Sequence, residues 1–360
     1  MNVGLSPAGC RKRQEKLCKL LSAEGLDCAL ITDPRHIYYF AGYWRIGRVL
    51  TPAALLIRAD GRSILGCPGT PPQDLAIDES RTYEADRIGT LIDDPASELM
   101  RVLDPRLNEA GAVGVDVVHA LSPGTRSILA AILSLRRKKD SDEMAMLEVA
   151  IAGCDAGYSR AKELLRAGVT EVKLYASIRS AATEAVREPL TEFGNDFQCG
   201  ALGSLPRNRP VELGESAILD VGVVYRGYSS DLCRTFVVGG QPNEAQLAAY
   251  QRIMDALQYV EDTVRPGVSC NEVYREVHRM IDGFRGWSFP HHLGHGIGLS
   301  AHEAPRLNPH WDDTFEVGDV FTAEPGLYGE DLRAGIRIEN DYLVTPTGVE
   351  RLSHFPTDLA

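Results

Sequence analysis

Paired acidic residues in two predicted β-hairpins constrain this chain more than any other feature of its sequence. The first hairpin covers residues 218–236, ILDVGVVYRGYSSDLCRTF, with a turn predicted at 225–227. Folding the segment symmetrically about that turn places Asp220 opposite Asp231. Directly opposed residues of an antiparallel pair have Cβ atoms roughly 4.5–5.5 Å apart. The hairpin therefore predicts two adjacent carboxylates.

A second hairpin repeats this arrangement later in the chain. Residues 321–328 and 335–342 fold about residues 331–332 and place Glu324 opposite Glu339. A single acidic residue near a turn is ordinarily solvated, but the pairing occurs twice. Four carboxylates brought together would repel one another unless cations lay between them. The two pairs therefore predict a cation site.

The composition is that of a globular protein, with 44% hydrophobic and 24% charged residues. A length of 360 residues permits two domains. The formal net charge of −12 argues against a nucleic-acid or anionic-membrane partner. No apolar run approaches the roughly 20 residues of a membrane span, and no secretory signal is predicted. The eight cysteines lack CxxC spacing, so we expect buried thiols in a reduced, cytoplasmic protein.

The first part of the chain, residues 1–135, alternates predicted helices and strands, which indicates a small α/β domain. The basic run RRKK that follows is succeeded at once by acidic residues, so we interpret it as a solvated linker rather than a binding patch. The predicted elements are a helix at 7–24, strands at 27–31, 53–57, 63–65 and 112–118, and a helix at 122–135.

The rest of the chain, residues 136–360, contains an internal repeat. The segment LRAGVT at 165–170 recurs as VRPGVS at 264–269, and each segment follows a predicted long helix, the first of them at about 140–167. Glycine ends each long helix, and Thr170 or Ser269 caps the next. Each copy later reaches one acid-bearing hairpin. We therefore predict a duplicated helix–helix–hairpin unit with the four acids at its junction.

Four histidines lie within a dozen residues in the segment PHHLGHGIGLSAHEAP at 290–305, beside three glycines. Such clustering is typical of a functional site. The glycine spacing does not match a dinucleotide fingerprint, and four acids would repel a pyrophosphate. Four carboxylates with one imidazole describe a dinuclear site for Mn²⁺, Co²⁺, Fe²⁺ or Zn²⁺. Two such ions about 3.5–4 Å apart would hold a shared hydroxide and polarise a carbonyl oxygen.

These residues resemble the creatinase/prolidase/aminopeptidase P family, whose catalytic domain has the pita-bread fold. The resemblance covers nearly the whole chain and is strongest in its C-terminal part. It implies an α/β (α+β) fold, with a small N-terminal domain of the creatinase/prolidase type at 1–135. A pita-bread catalytic domain with internal pseudo-twofold duplication would occupy 136–360. The N-terminal domain resembles the family's oligomerisation domain, which implies a homodimer.

The family's metal-ligand pattern falls on Asp220, Asp231, His295, Glu324 and Glu339. By resemblance, Asp231 and Glu339 bridge two ions. Asp220 holds one ion, and His295 and Glu324 hold the other. Glu324 would also relay a proton from the bridging water. The expected ions are two Mn²⁺, with cobalt, iron and zinc as alternatives.

The resemblance assigns catalytic positions beside the ions to two further histidines, His291 and His302. His302 lies in Ala-His-Glu-Ala-Pro, as it does in family members. His292 matches no family role, so we expect it in the core or on the surface.

One departure from the family pattern concerns the substrate. Proline-specific members carry a further histidine about 17 residues before the first aspartate, whereas here no histidine lies between His119 and His278. Gly203 falls at the ungapped position, and Arg207 would substitute if the loop is shortened. That histidine helps to bind the substrate and the developing oxyanion, and losing such a donor typically costs about 10²–10³ in rate. Either Arg207 supplies the charge, or the substrate is not an ordinary Xaa-Pro peptide.

Three functions follow from these observations. The first is a dinuclear metallohydrolase that cleaves a small peptide, as an Xaa-Pro dipeptidase or aminopeptidase P does. The second is a relative that acts on a non-peptide small molecule, similar to ectoine hydrolase or dimethylsulfoniopropionate lyase, which the missing histidine favours. The third is a binding protein that has lost catalysis, against which the complete ligand set argues.

Overall fold

The computed structural model of the chain describes residues 3–45, 51–107, 111–117 and 124–360. The chain separates into two compact units, of which the first comprises residues 1–136 with 140–142 and the second 137–139 with 143–360. Within the described ranges no helix is both long enough and apolar enough to cross a lipid bilayer.

The first unit is built on a six-stranded mixed sheet, which confirms its α/β class. The strand order is β4-β3-β2-β1-β7-β8, with β1 antiparallel to β2 and parallel to β7. The elements are α1 (Pro7–Ala23), β1 (Cys28–Ile31), α2 (Pro34–Ala41), β2 (Ala54–Arg58), β3 (Ser63–Pro68), β4 (Glu79–Tyr83), β5 (Asp86–Arg87), β6 (Thr90–Leu91), α3 (Pro95–Leu107), β7 (Val113–Val115), β8 (Thr125–Ser127) and α4 (Leu129–Arg137).

The helix predicted at 122–135 begins later than expected. Residues 125–127, which were predicted to be helical, instead form β8 and pair in parallel with β7. Residues 118 and 122–123 of the predicted strand and helix lie outside the described part of the chain. The hairpin between β2 and β3 forms as predicted, with Ile57 opposite Ser63.

The second unit carries the repeated pattern of helices and hairpins. Its first strands are short and form two separate sheets of two and three strands, whereas β14, β15, β16, β19 and β20 form a five-stranded sheet. The elements are α5 (Ser141–Leu164), α6 (Glu171–Val186), β9 (Glu192–Phe193), β10 (Ser216–Asp220), β11 (Val223–Tyr225), β12 (Tyr228–Ser229), β13 (Cys233–Val237), α7 (Glu244–Thr263), α8 (Cys270–Ile281), β14 (Gly294–Gly296), β15 (Glu303–Leu307), β16 (Val320–Ala323), β17 (Gly326–Gly329), β18 (Ala334–Arg337), β19 (Asn340–Val344) and β20 (Val349–Arg351), with 3₁₀ turns at Phe284–Gly286 and Glu330–Leu332.

The predicted duplication is confirmed by matching hydrogen bonds in the two copies. Gly168 donates its N–H to Val211 O at 2.9 Å, and Gly267 donates to Phe315 O at 2.8 Å. Both glycines have φ near 90°, a conformation that favours glycine over any residue with a side chain. The predicted caps form as well: the Thr170 side chain accepts from the N–H of residue 173, and its counterpart at position 269 accepts from that of residue 272.

The basic run at 136–139 is not a solvated linker, so that interpretation was wrong. Arg137 donates from Nε to Asp319 Oδ1 at 2.7 Å. Lys139 Nζ lies 3.5 Å from Glu303 Oε1, and these two side chains are only 1% and 6% exposed. Lys138, which forms a β-bridge, has a side chain that is 57% exposed. Successive side chains of an extended segment point to opposite sides, which explains the alternation.

We expect the Lys139→Met variant to lower the free energy of unfolding by about 3–5 kcal/mol, because Glu303 would stay buried without its lysine. The neighbouring Lys138→Met variant is the matched control, since an exposed ion pair contributes at most about 1 kcal/mol. Urea unfolding of both variants measures the difference. Equal losses would contradict the buried pair.

Candidate metal centre

The first acid-bearing hairpin forms, but its turn is centred one residue later than predicted. Tyr225 pairs with Tyr228, so residues 226 and 227 make a two-residue turn. Both have positive φ, 46° and 82°, as a type I′ turn requires. Asp220 therefore lies opposite Cys233 and not opposite Asp231. The predicted register was wrong by two residues.

The two aspartates nevertheless lie near each other in the observed register. Side chains alternate between the faces of a hairpin with a period of two, so a two-residue shift returns each one to its original face. Asp231 lies between β12 and β13. Asp220, Asp231 and Glu339 each contribute one carboxylate oxygen to a group in which these three atoms lie within 4.8 Å of one another.

The second hairpin has the predicted register. The β16–β19 and β17–β18 ladders share one alignment, which places Glu324 opposite Glu339 in the gap between them. The backbone holds both residues: Glu324 donates its N–H to Leu293 O at 2.7 Å, and Glu339 donates its own to Cys233 O at 3.0 Å. The second of these bonds ties the two hairpins together at the acids.

His295 lies on β14 and faces both hairpins. Its Nε2 is 3.6 Å from Glu324 Oε1 and 3.7 Å from Asp231 Oδ2. The imidazole is buried, and this burial lowers the pKa of His295 to about 4. A neutral imidazole is the form that ligates a metal ion.

The glycines on either side of His295 are required by close strand packing. A Cβ added at Gly294 would lie 1.9 Å from Thr322 O, and one at Gly296 would lie 2.0 Å from Ala304 O. Neighbouring backbone occupies both places. The glycines therefore bring β14 against β16 and β15, and this packing sets the position of His295.

All five predicted ligands thus come together, and two overlapping clusters consist of these residues alone. One contains His295, Glu324 and Glu339, and the other contains Asp220, Asp231 and Glu339. Glu339 belongs to both. Cys233, which the sequence left open as a soft ligand, belongs to neither and packs in an apolar cluster. The eight cysteines are free and buried, as predicted.

The pKa values of the four acids do not all shift in the same direction. Burial, followed by nearby carboxylates, raises the pKa of Asp220 to about 6 and raises those of Asp231 and Glu339 well above their usual range. Glu324 behaves differently. Burial alone would raise its pKa, but the hydrogen bond to His292 and other positive charges lower it to about 2.

An unsatisfied carboxylate oxygen of Glu339 indicates that the site suits a cation. Its Oε1 accepts a hydrogen bond from the Thr322 hydroxyl, while Oε2 is buried and has no hydrogen-bond partner among the described residues. Leaving a buried acceptor unsatisfied costs about 1–3 kcal/mol. A cation between the clusters would satisfy it. Carboxylate oxygens with one imidazole nitrogen suit divalent ions such as Mn²⁺, Co²⁺, Fe²⁺ and Zn²⁺.

Sequence reasoning missed Arg337. Its Nη2 donates to Asp220 Oδ2 at 2.8 Å and to Asp196 Oδ2 at 2.7 Å. Arg337 lies two residues before Glu339, and side chains two apart in an extended segment share a face. That spacing could have identified the arginine. No comparable signal pointed to Asp196.

The predicted histidines His291 and His302 both line the site. The Tyr328 hydroxyl lies 2.8 Å from His291 Nε2, and His291 Nδ1 lies 2.8 Å from the carbonyl of the next residue. Nδ1 can only donate to a carbonyl, so Nε2 accepts from Tyr328. His302 stacks on His295, with ring centroids 3.8 Å apart and 12° between the planes. Burial lowers the pKa values of both His291 and His302.

His292 lies in the site, although the sequence placed it in the core or on the surface. Its Nε2 is 3.0 Å from Glu324 Oε1. Burial alone would lower the pKa of His292, but the hydrogen bond to Glu324 raises it. Residues 291 and 292 belong to no strand. Adjacent side chains can therefore face the same space, which explains the error.

A cavity of about 460 Å³ opens onto these groups, within the usual size range of ligand pockets. Gly203 and Arg207 are not among its lining residues. The Arg207 guanidinium donates to Glu171 at 3.0 and 2.6 Å and to Cys199 O at 2.9 Å. Arg207 is therefore committed elsewhere, and the loop contributes no cation in place of the missing histidine.

Comparison with known proteins gives consistent matches along the chain. The family model for metallopeptidase family M24 matches residues 145–346, and the creatinase/prolidase N-terminal domain matches residues 13–145. A protein of Staphylococcus aureus strain bovine RF122 / ET3-1, named an uncharacterized peptidase, is 30% identical over 353 residues, covering 94% of this chain and 98% of its own. An uncharacterized peptidase of Staphylococcus haemolyticus is 31% identical, covering 95% and 98%.

Solved structures share the fold. The prolidase of Pyrococcus horikoshii OT3 superposes with a TM-score of 0.80 at 22% identity, covering 97% of this chain and all of its own. The X-Pro aminopeptidase of Thermotoga maritima MSB8 gives 0.79 at 22%, covering 96% and 98%. The Xaa-Pro dipeptidase of Bacillus anthracis gives 0.77 at 23%, covering 97% and 99%. These likenesses confirm the predicted fold.

We expect added metal to stabilise the protein more as pH rises. Because the pKa of Asp220 is raised to about 6, the metal-free native state binds more protons than the unfolded chain. Its free energy of unfolding therefore falls as pH rises through that value. Metal competes with these protons. The Tm in Mn²⁺ minus the Tm in EDTA should be small near about pH 5 and larger near about pH 7.5.

Differential scanning fluorimetry across this range measures the effect. Titratable groups remote from the site affect the Tm equally in Mn²⁺ and in EDTA, so their contribution cancels in the difference between the two Tm values. A Tm difference that shrinks with rising pH would contradict the proton competition.

Proposed function

Because this chain belongs to metallopeptidase family M24 and its five predicted ligands converge, we propose that it is a dinuclear metal-dependent Xaa-Pro peptidase. The substrate would be a small peptide with proline after the scissile bond, cleaved as by a dipeptidase or aminopeptidase P, but without the additional histidine of proline-specific members, whose place Arg207 does not take. The observation that carries this proposal is the pair of ligand clusters that share Glu339. The names of the structural neighbours point to the same substrate class.

In this proposal Asp231 and Glu339 would contribute to both ion positions. Asp220 would contribute to one position, and His295 and Glu324 to the other. Two divalent ions, with Mn²⁺ the first choice and cobalt, iron or zinc the alternatives, would polarise the scissile carbonyl and lower the pKa of the attacking water.

Glu324 and His292 form the proposed proton carrier. Glu324 stays ionised to low pH, and its Oε1 lies 3.0 Å from His292 Nε2. A proton released by water can be accepted by the carboxylate, while the hydrogen bond from His292 keeps that carboxylate oriented.

His291 and His302 are proposed to orient the substrate. The hydrogen bond from Tyr328 fixes the ring of His291, and stacking on His295 fixes that of His302. Groups held in place before the substrate binds lower the entropic cost of reaching the reactive geometry.

A second candidate is chemistry on a non-peptide small molecule, similar to ectoine hydrolysis or dimethylsulfoniopropionate cleavage. The observation that favours it is Arg207, which Glu171 holds away from the cavity lining. Turnover of cyclic amidines, sulfonium compounds or betaines without turnover of Xaa-Pro peptides would favour this candidate.

We further propose cytoplasmic localisation, on the support of eight free, buried thiols, and a homodimer. We propose two domains, with the boundary between residues 135 and 136.

We expect the purified protein to cleave Xaa-Pro dipeptides or tripeptides when Mn²⁺ or Co²⁺ is added, and to lose this activity in a chelator. The Glu339→Gln variant should bind fewer than two ions per chain and lose more than about 10² in kcat, because it removes charge from both clusters. Elemental analysis and a peptidase assay measure both quantities.

The exposed Glu350→Gln variant serves as the control and should match the wild type. Absence of turnover with every metal would reject the proposal. Full metal content and full activity in the Glu339→Gln variant would show that Glu339 is not a metal ligand.

A further inference from the structure

The cavity carries more negative charge than the proposed ions would balance. Four of its carboxylates are the proposed ligands, whose charge matches two divalent cations. A fifth, that of Asp196, is paired with Arg337 at 2.7 Å. Arg337 is the only arginine or lysine among the described lining residues. The sixth carboxylate, that of Glu192, has neither a proposed ion nor an arginine or lysine to balance it among the described lining residues.

Glu192 stands at the end of a row of side chains across three strands. It lies opposite Val224 on β11, and Val224 lies opposite Ser229 on β12. Directly opposed residues share one face of a sheet, and all three line the cavity. Glu192 belongs to neither ligand cluster, so an ion-binding role does not account for it.

The Glu192 carboxylate is available to a ligand. The residue is exposed, and within the described ranges no hydrogen bond or ion pair occupies its side chain. Its backbone is nevertheless fixed. The adjacent Phe193 ring stacks on Phe197, with centroids 5.4 Å apart, and meets Tyr175 edge-on at 5.6 Å. A charge on an anchored strand beside a cavity is placed to discriminate between substrates.

We propose that Glu192 is a specificity-determining residue that binds a positively charged group of the substrate. This inference rests on the proposed peptidase function and adds the substrate class, small Xaa-Pro peptides with a basic side chain. An acidic side chain in the same place would meet the uncompensated carboxylate and be disfavoured. Because Glu192 is exposed, the discrimination should be moderate and should weaken as salt concentration rises.

Two matched peptide series test the inference on either side of the scissile bond. The first comprises Lys-Pro, Gln-Pro and Glu-Pro, and the second Ala-Pro-Lys, Ala-Pro-Gln and Ala-Pro-Glu. In at least one of the two series, kcat/KM of the wild type should be highest for the lysine peptide and lowest for the glutamate peptide. The Glu192→Gln variant should lower that lysine-to-glutamate ratio by about three- to tenfold, and Glu192→Lys should lower it further.

The Glu148→Gln variant is the control, because Glu148 is exposed on α5 and does not line the cavity. Its ratio should equal that of the wild type. Turnover of the glutamine peptides with the same ratio in wild type and Glu192→Gln would overturn this inference and leave the proposed function standing. Absence of turnover of all six peptides with Mn²⁺ or Co²⁺ would overturn the proposed function and this inference with it.

Discussion

Electrostatic repulsion among four carboxylates, two of them buried and two partly buried, is the constraint on which the rest of the structure depends. Asp220, Asp231, Glu324 and Glu339 come from two hairpins, and three of them have pKa values raised by burial and by one another. Such a cluster opposes folding unless positive charge compensates it. Arg337 supplies one cation at Asp220, and His292 supplies hydrogen bonding at Glu324. The remaining compensation is what the proposed ions would provide.

The internal repeat brings the carboxylates together. Each copy runs from a capped helix to one hairpin, and the backbone bond from Glu339 to Cys233 joins the two hairpins at their acids. One further element completes the site: His295 on β14, which glycine packing holds between neighbouring strands. The four acids lie at a strand end or in short gaps between strands, and the paired strands on either side hold them in place.

The sequence predicted the parts of the site where side chains alternate regularly between the two faces of a hairpin. The second hairpin had the right register, and the first survived a misplaced turn because two-residue shifts preserve the face. Two residues of irregular segments were predicted wrongly. His292 was assigned away from the site because it matches no family role, and Arg207 was offered as a cation although Glu171 holds it. The choice of an arginine's partner depends on tertiary contacts, which no local pattern in the sequence records.

The membership of Glu339 in both ligand clusters makes the two proposed ion positions interdependent. The first ion to arrive would neutralise part of the repulsion and fix the carboxylate that the second also needs. The second ion would then meet a carboxylate that is already held in place, but also less negative charge and the repulsion of the first ion. The two positions would therefore not fill independently, and an ion at one would change the affinity of the other.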